Sequence, residues 1–264
     1  MKKAILVVSF GTSHLDALNN SIKKIEDSIQ ENFKEYDVFR SFTSHMIVRK
    51  LKEKHNMEVL FPEDALKKLG EEGYEEVIVQ PLHIIPGEEF DYIKHMVKEY
   101  EPCFKKIEIG RPIFHYEGFE SGPDDYSYFV DTMKDLIEKN SPCVFVGHGS
   151  AHPSNAVYGC LQSVLIDKDY EDVFVGTVEG YPNFSNVLKK AKKKDIKEIT
   201  IIPLMVVAGD HAKNDMASDE EDSWKSRFES EGIKANVILK GLGEYEEFGN
   251  LYIDRINDVI NGTY

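Results

Sequence analysis

Three side chains that can bind a metal ion or move a proton each follow an uninterrupted apolar run in this sequence. The side chains are those of His148, Glu179 and His211, and the runs are residues 143–146, 173–178 and 199–207. Such runs are typical of strands that are buried on both faces of a parallel sheet. Because open α/β sheets bind ligands at the carboxyl ends of their strands, we expect the three side chains to lie along one edge of one sheet.

Two imidazoles and one carboxylate form a ligand set that suits a divalent transition metal. Imidazole is a favoured ligand of Co, Ni, Fe and Zn ions, whereas a closed structural zinc site would need a fourth protein ligand. The same groups could instead serve proton transfer, with His148 as a base near neutral pH and Glu179 orienting it or relaying the proton. A histidine after one strand end could equally be a hydrogen-bonded structural residue. The coincidence at three strand ends is what favours a functional site.

Two further segments carry candidate substrate ligands. Four residues follow the first predicted strand, namely Phe10, Gly11, Thr12 and Ser13. N–H groups and hydroxyls placed before a helix could bind a carboxylate or a phosphate, and the phenyl ring could stack on a flat ligand. The segment lacks the Walker lysine pattern and a complete dinucleotide-binding glycine fingerprint, so no nucleotide cofactor is expected. Glu88 and Glu89 follow the run 77–82 and form either a solvated pair or carboxylates that accept substrate protons.

Strand and helix patterns alternate along the chain and repeat once. The predicted strands are residues 4–10, 38–42, 77–82 and 107–109 in the first half, and 143–146, 173–178, 199–207 and 236–239 in the second. Residues 7–13 (VVSFGTS) parallel residues 145–151 (FVGHGSA), and residues 77–89 parallel residues 199–211. A repeat of this length exceeds that of a solenoid and indicates a duplicated βα domain.

The duplication predicts an α/β fold with two similar lobes, each a parallel sheet flanked by helices. The first lobe and a crossing segment, residues 115–125, would together span residues 1–125, and the second lobe, which carries the candidate ligands, would span residues 126–264. The last amphipathic helix could cross back to cover the first lobe. The alignment of the halves pairs Phe10 with His148, roughly Thr43 with Glu179, and Glu89 with His211.

The composition excludes several classes of protein. The 264 residues carry a formal net charge of -15, so the chain lacks the basic surface that attracts nucleic acids or anionic membranes. No apolar run reaches the roughly 20 residues of a membrane-spanning helix. The three cysteines are odd in number and have no metal-ligand spacing, which favours a reducing cytoplasm.

Six segments together carry a resemblance to a known family. They are VVSFGTS, FTSHMIVRKL, LHIIPGEEF, GHGSAH, VEGYP and PLMVVAGDHAKNDMASDEEDSWKSRF. In these segments the chain resembles the anaerobic cobalt chelatases of the CbiK type, which are related to the class II chelatases that include ferrochelatase. The resemblance extends over nearly the full length, and the stretch AGDHAKNDMASD is its most specific part.

The resemblance implies insertion of Co²⁺ into sirohydrochlorin, or into precorrin-2, during anaerobic cobalamin synthesis, without ATP and without an organic cofactor. It implies a cleft between two lobes, with His148, Glu179 and His211 as metal-binding and catalytic residues. The implied partners are a tetrapyrrole and a divalent metal ion. Nickel or iron insertion remains an alternative, since a site of nitrogen and oxygen ligands generally binds Ni²⁺ more tightly than Co²⁺. A non-catalytic metal carrier or sensor is the other alternative, and the oligomeric state, a homo-oligomer included, stays open.

Overall fold

The apolar runs form two four-stranded parallel sheets. The computed structural model describes residues 1–120 and 122–263. The first sheet, in the order β2-β1-β3-β4, contains β1 (Lys2–Ser9), β2 (Asp37–Phe42), β3 (Tyr74–Pro81) and β4 (Lys106–Ile109). The second sheet, in the order β6-β5-β7-β8, contains β5 (Cys143–Gly147), β6 (Val173–Thr177), β7 (Glu198–Pro203) and β8 (Lys234–Val237). The expected α/β fold with two similar lobes is confirmed.

Helices cover both faces of each sheet, because their apolar stripes pack on strands that are themselves apolar on both sides. In the first lobe they are α1 (residues 15–32), α2 (His45–His55), α3 (Pro62–Glu71) and α4 (Glu88–Tyr100). The remaining helices are α5 (Asp125–Thr132), α6 (Lys134–Asn140), α7 (Ala156–Asp167), α8 (Phe184–Lys193), α9 (Trp224–Ser230) and α10 (Glu246–Asn261). Two segments are wound as π-helix, Leu18–Ile22 within α1 and Ala212–Met216 after β7. Within the described ranges, no helix is both long and apolar enough to span a bilayer.

Equivalent backbone hydrogen bonds show the duplication directly. The N–H of Leu82 donates to the carbonyl of Val8 at 2.7 Å, and the N–H of Leu204 donates to that of Val146 at 2.8 Å. Val8 and Val146 therefore occupy the same position in the two sheets, and so do Phe10 and His148 two residues later. The following glycines, Gly11 and Gly149, have φ angles of 91° and 89°. Both strands thus end in the same left-handed turn, which a residue without a Cβ adopts readily.

The sheet register refines the predicted pairing of the halves. Val8 pairs with Ser41, and Val146 pairs with Gly176. Three residues after these partners stand Ser44 and Glu179. The first-lobe counterpart of Glu179 is therefore Ser44, one residue beyond the predicted Thr43.

The strand predicted over residues 199–207 is shorter, because β7 ends at Pro203. The carbonyls of Met205 and Val206 accept the N–H groups of Leu242 and Gly243 at 2.8 and 2.9 Å. The end of the apolar run therefore packs under a turn instead of extending the sheet. The last predicted strand needs a similar correction, because β8 lies two residues earlier than expected.

One apolar core lies between the sheets and joins the lobes. It includes Ile5 and Ile78 from the first sheet, Phe145 and Ile202 from the second, and residues of the last helix. Helix α10 packs against α1 and β3, which confirms that the C-terminal helix crosses back onto the first lobe. The boundary between residues 125 and 126 stays a prediction.

A cluster of buried ion pairs connects the end of the crossing segment to the last helix. Asp125, which is 1% exposed, accepts hydrogen bonds from Arg111 Nη2 at 3.1 Å, and its carboxylate lies 2.8 Å from Arg255 Nη2. Arg111 Nη1 also donates to Asp258 at 2.6 Å. Burial of the guanidinium groups is therefore compensated mainly by one carboxylate that both arginines share.

Replacing Asp125 with alanine is expected to destabilise the fold strongly. Two buried guanidinium groups would lose their shared counter-charge, which typically costs about 3–5 kcal/mol when a buried ion pair is broken. Urea unfolding would measure the change in the free energy of unfolding. Asp258→Asn is the matched control, since this side chain is 31% exposed and should cost far less. Equal destabilisation by both changes would contradict the shared role of Asp125.

Candidate metal centre

Two of the predicted ligands, His148 and His211, meet at the carboxyl ends of β5 and β7. Their Nε2 atoms lie 3.1 Å apart, and their rings are nearly perpendicular, with centroids 4.4 Å apart. His148 stands in the turn directly after β5, and His211 immediately precedes the π-helical segment Ala212–Met216. Neighbouring parallel strands thus bring together two imidazoles that are 63 residues apart in the chain.

Each imidazole is held through its other nitrogen. His148 Nδ1 lies 3.1 Å from the carbonyl oxygen of Gly149, and His211 Nδ1 lies 2.5 Å from Oδ2 of Asp215. Because a carbonyl and a carboxylate only accept hydrogen bonds, both Nδ1 atoms must donate. In the neutral rings, the two Nε2 atoms then carry lone pairs that face each other.

Two facing lone pairs at this distance repel each other, and a cation bound by both nitrogens would remove the repulsion. For a divalent ion at about 2.0–2.1 Å from both nitrogens, the N–metal–N angle would be about 95–100°. Tetrahedral and octahedral ions both accept neighbouring ligands near such angles. Asp215 completes a carboxylate–histidine arrangement that fixes the tautomer and raises the basicity of a metal ligand. Its spacing of four residues from His211 was a sequence signal that our prediction did not use.

The third predicted ligand, Glu179, is anchored by its backbone. Its N–H donates to the carbonyl of His148 at 2.7 Å. An added Cβ on Gly149 would lie 2.5 Å from the carbonyl group of Glu179, so the glycine permits this close approach. The Glu179 side chain is exposed. In residues 1–120 and 122–263, no group of three or more His, Cys, Asp or Glu side chains is arranged to hold a metal ion, so only the two imidazoles are in place.

The predicted substrate-binding residues after β1 divide into two kinds. Phe10 is 50% exposed, so its ring is free to contact a ligand. Thr12 is buried, and its hydroxyl accepts the N–H of His14 at 3.2 Å, which makes it a turn-stabilising residue. Gly11 provides the left-handed turn, and Ser13 is half-buried.

A hydrogen bond between side chains, for which the sequence has no local signal, links this turn to the second lobe. His14 Nε2 lies 2.7 Å from Oδ1 of Asp210, the residue before His211. The hydrogen bond from His14 lowers the pKa of Asp210, and the charges of Lys50 and Lys213 lower it further. The end of β1 and the imidazole pair therefore lie on the same side of the molecule, next to several cationic groups. Partners that are 196 residues apart leave no local sequence signal.

The predicted pair Glu88 and Glu89 opens helix α4. Glu88 is exposed, and Glu89 is partly buried with Oε2 at 3.9 Å from Nε2 of His83. Asp91, one turn into this helix, lies 3.3 Å from His152 in the loop after β5. The start of α4 therefore faces the second lobe near the turn that carries His148. His152 thus takes part in a contact between the lobes.

The two parallel-sheet lobes have a counterpart among solved structures. The structure of SirB from Bacillus subtilis with Fe3+ has the same fold, with a TM-score of 0.66 and 16% identity. The match covers 98% of this chain and 95% of that one.

The family follows from the sequence comparisons. The family model for cobalt chelatase (CbiK) matches residues 3–261. Sirohydrochlorin cobaltochelatase of Salmonella typhimurium is 36% identical over 99% of this chain and 97% of its own length. Sirohydrochlorin cobaltochelatase CbiKC of Nitratidesulfovibrio vulgaris is 30% identical over 98% of this chain and 91% of its own length. The chain belongs to the cobalt chelatase (CbiK) family, which confirms the resemblance, and it is a metal chelatase.

Proposed function

We propose that this chain inserts Co²⁺ into sirohydrochlorin without ATP and without an organic cofactor. The observation that carries the proposal is the pair of Nε2 lone pairs, on His148 and His211, that face each other at 3.1 Å. The names of the full-length relatives support the choice of metal and of macrocycle. Free thiols at all three cysteines fit a reducing, cytoplasmic location.

The metal is a substrate, so its site must bind it and also release it. His148 and His211 bind Co²⁺ through Nε2, and Glu179 becomes a third ligand when its exposed side chain turns toward the imidazoles. Such a partial ligand set leaves coordination positions open for the macrocycle nitrogens. A closed thiolate site would retain the ion instead.

Insertion exchanges two pyrrole protons for one dication, so proton acceptors must lie near the macrocycle. Each pyrrole N–H bond breaks with its electron pair left on nitrogen, and that pair then binds Co²⁺. Glu179 on the metal side and Glu89 on the opposite lobe are the proposed acceptors. Glu89 suits this role because the duplication places it where the second lobe has His211.

The macrocycle is a flat polycarboxylate, whereas the chain has a net charge of -15. Local groups must therefore bind its carboxylates. We assign the exposed ring of Phe10 to stacking, and the N–H groups of Gly11 and Ser13 to hydrogen bonding. We also assign Glu88, which is exposed at the start of α4, to this substrate-binding surface. Lys50 and Lys213, whose charges act on Asp210, are cationic side chains that could bind these carboxylates at this edge.

The function is tested by mixing purified protein with sirohydrochlorin and Co²⁺, Ni²⁺ or Fe²⁺ in the absence of ATP. We expect catalytic turnover with Co²⁺, seen as conversion of the free macrocycle spectrum to that of the metal complex. A parallel reaction with precorrin-2 identifies the preferred macrocycle. Stoichiometric Co²⁺ binding without any acceleration over the protein-free reaction would instead identify a carrier or sensor. Faster turnover with Ni²⁺ or Fe²⁺ than with Co²⁺ would reassign the metal.

A further inference from the structure

His83 is a buried histidine beside the site to which neither the fold nor the metal centre gives a role. It follows β3, and its carbonyl accepts the N–H of Ile113 at 3.1 Å, so its backbone is held by the residues that follow β4. Its side chain is only 12% exposed. Neither Nδ1 nor Nε2 has a hydrogen-bond partner.

The carboxylate of Glu89 lies next to this imidazole. Oε2 of Glu89 is buried without a hydrogen-bond partner and lies 3.9 Å from His83 Nε2. The Glu89 side chain as a whole is 42% exposed. One carboxylate oxygen of Glu89 therefore points inward at His83. The exposed surface of the side chain belongs to its other atoms.

Two buried groups that could satisfy each other are left just beyond hydrogen-bonding distance. An unsatisfied buried polar group typically costs about 1–3 kcal/mol, so closing this gap by a small side-chain rotation is favourable. Burial lowers the pKa of His83 to about 4, so its imidazole is neutral at physiological pH. A neutral imidazole can donate through Nε2–H to a carboxylate without adding a positive charge, which would make Glu89 a weaker base.

We propose that His83 is a positioning residue for Glu89: its Nε2–H holds the inner oxygen, so that the outer oxygen faces the macrocycle and accepts a pyrrole proton. The inference rests on the proposed function. In the step itself, a pyrrole N–H bond breaks, an O–H bond forms on the outer oxygen of Glu89, and the electron pair stays on the pyrrole nitrogen. His83 remains neutral throughout, because the inner oxygen accepts its hydrogen bond in both states of Glu89.

The position of Glu89 in the fold supports this arrangement. Pro81 and Pro203 occupy equivalent positions in the two sheets, and Glu89 and His211 each follow eight residues later. The acceptor in one lobe thus corresponds to a metal-binding imidazole in the other. The contact between Asp91 and His152 at 3.3 Å shows that the start of α4 borders the opposite lobe.

The test measures single-turnover insertion at saturating Co²⁺ and sirohydrochlorin, together with Co²⁺ affinity. His83→Leu is expected to slow insertion about 10-fold, less than the roughly 10²-fold that follows a misplacement of about 1 Å at a reacting centre. Co²⁺ affinity should stay unchanged. His83→Gln, whose amide N–H can reach Glu89, should recover most of the rate, whereas the shorter His83→Asn should not. His95→Leu, at an exposed site on α4, is the matched control and should behave as the wild type.

A double-mutant cycle separates a role through Glu89 from a general structural one. In the Glu89→Gln background, His83→Leu should change the rate less than 2-fold. The same loss in both backgrounds, or a parallel fall in Co²⁺ affinity, would overturn the proposal. If His83→Leu does not fold, the Gln and Asn variants carry the same cycle. Failure of the wild type to insert Co²⁺ would refute the proposed function, whereas wild-type insertion with no effect at residue 83 would refute this inference alone.

Discussion

His211→Ala is expected to lose most Co²⁺ binding and most insertion activity while keeping the wild-type fold. The side chain is 42% exposed, so its removal leaves no cavity in the core. It does remove one of the two facing Nε2 atoms, which leaves His148 as the only imidazole in place. We expect Co²⁺ affinity to fall by at least the 10–100-fold that accompanies loss of a group that merely orients a metal ligand.

Isothermal titration with Co²⁺ and the insertion assay would measure both effects on one preparation. Asp215→Asn provides a graded comparison. It keeps the His211 imidazole but replaces the carboxylate that orients it with a neutral amide, which is a weaker hydrogen-bond acceptor. Its effect should be smaller than that of His211→Ala. A folded His211→Ala protein with wild-type Co²⁺ affinity and turnover would remove His211 from the site.

Glu179→Gln is expected to reduce turnover by on the order of 10²-fold, the effect of losing a positioned acid–base group. The amide cannot accept a pyrrole proton at neutral pH. It also binds a dication less well than a carboxylate does, because it carries no net charge. We therefore expect a loss of Co²⁺ affinity as well, smaller than the loss in turnover. The backbone hydrogen bond from Glu179 to His148 is unaffected by this change.

Co²⁺ titration and single-turnover insertion separate the two roles of Glu179. If Glu179→Gln lowers Co²⁺ affinity but inserts the metal at the normal rate once Co²⁺ is saturating, Glu179 is a ligand only. Near-wild-type affinity with slow insertion would make it a proton acceptor only. Wild-type behaviour in both measurements would show that the two histidines suffice without it.

The strands, their parallel pairing and the meeting of His148 with His211 could be predicted from the sequence. Apolar runs fix the strands, and carboxyl ends of neighbouring parallel strands must share an edge. The turn at His148 also has a local cause in the sequence, since Gly149 has a φ angle of 89°. These features depend on local patterns and on the rules of sheet topology.

Contacts that join the two lobes, or join the crossing segment to the last helix, could not be predicted. The pairing of His14 with Asp210 depends on how the lobes face each other, which no single segment determines. The ionic cluster around Asp125 unites the crossing segment with α10 in the same way. The burial of His83 could not be predicted because the residues that contact it belong to α4 and to the segment after β4. No local pattern predicts that the Glu179 side chain is exposed.

Insertion by the proposed mechanism requires that the metal pass from the imidazole pair to the macrocycle. Protein loaded with one equivalent of Co²⁺ should show a d–d absorption spectrum of nitrogen-coordinated cobalt. On rapid mixing with sirohydrochlorin, this absorption should disappear at the rate at which the metallated product forms. His211→Ala should show neither signal at the same Co²⁺ concentration. Persistence of the protein-bound cobalt spectrum while product forms, or product formation at the protein-free rate, would contradict transfer from this site.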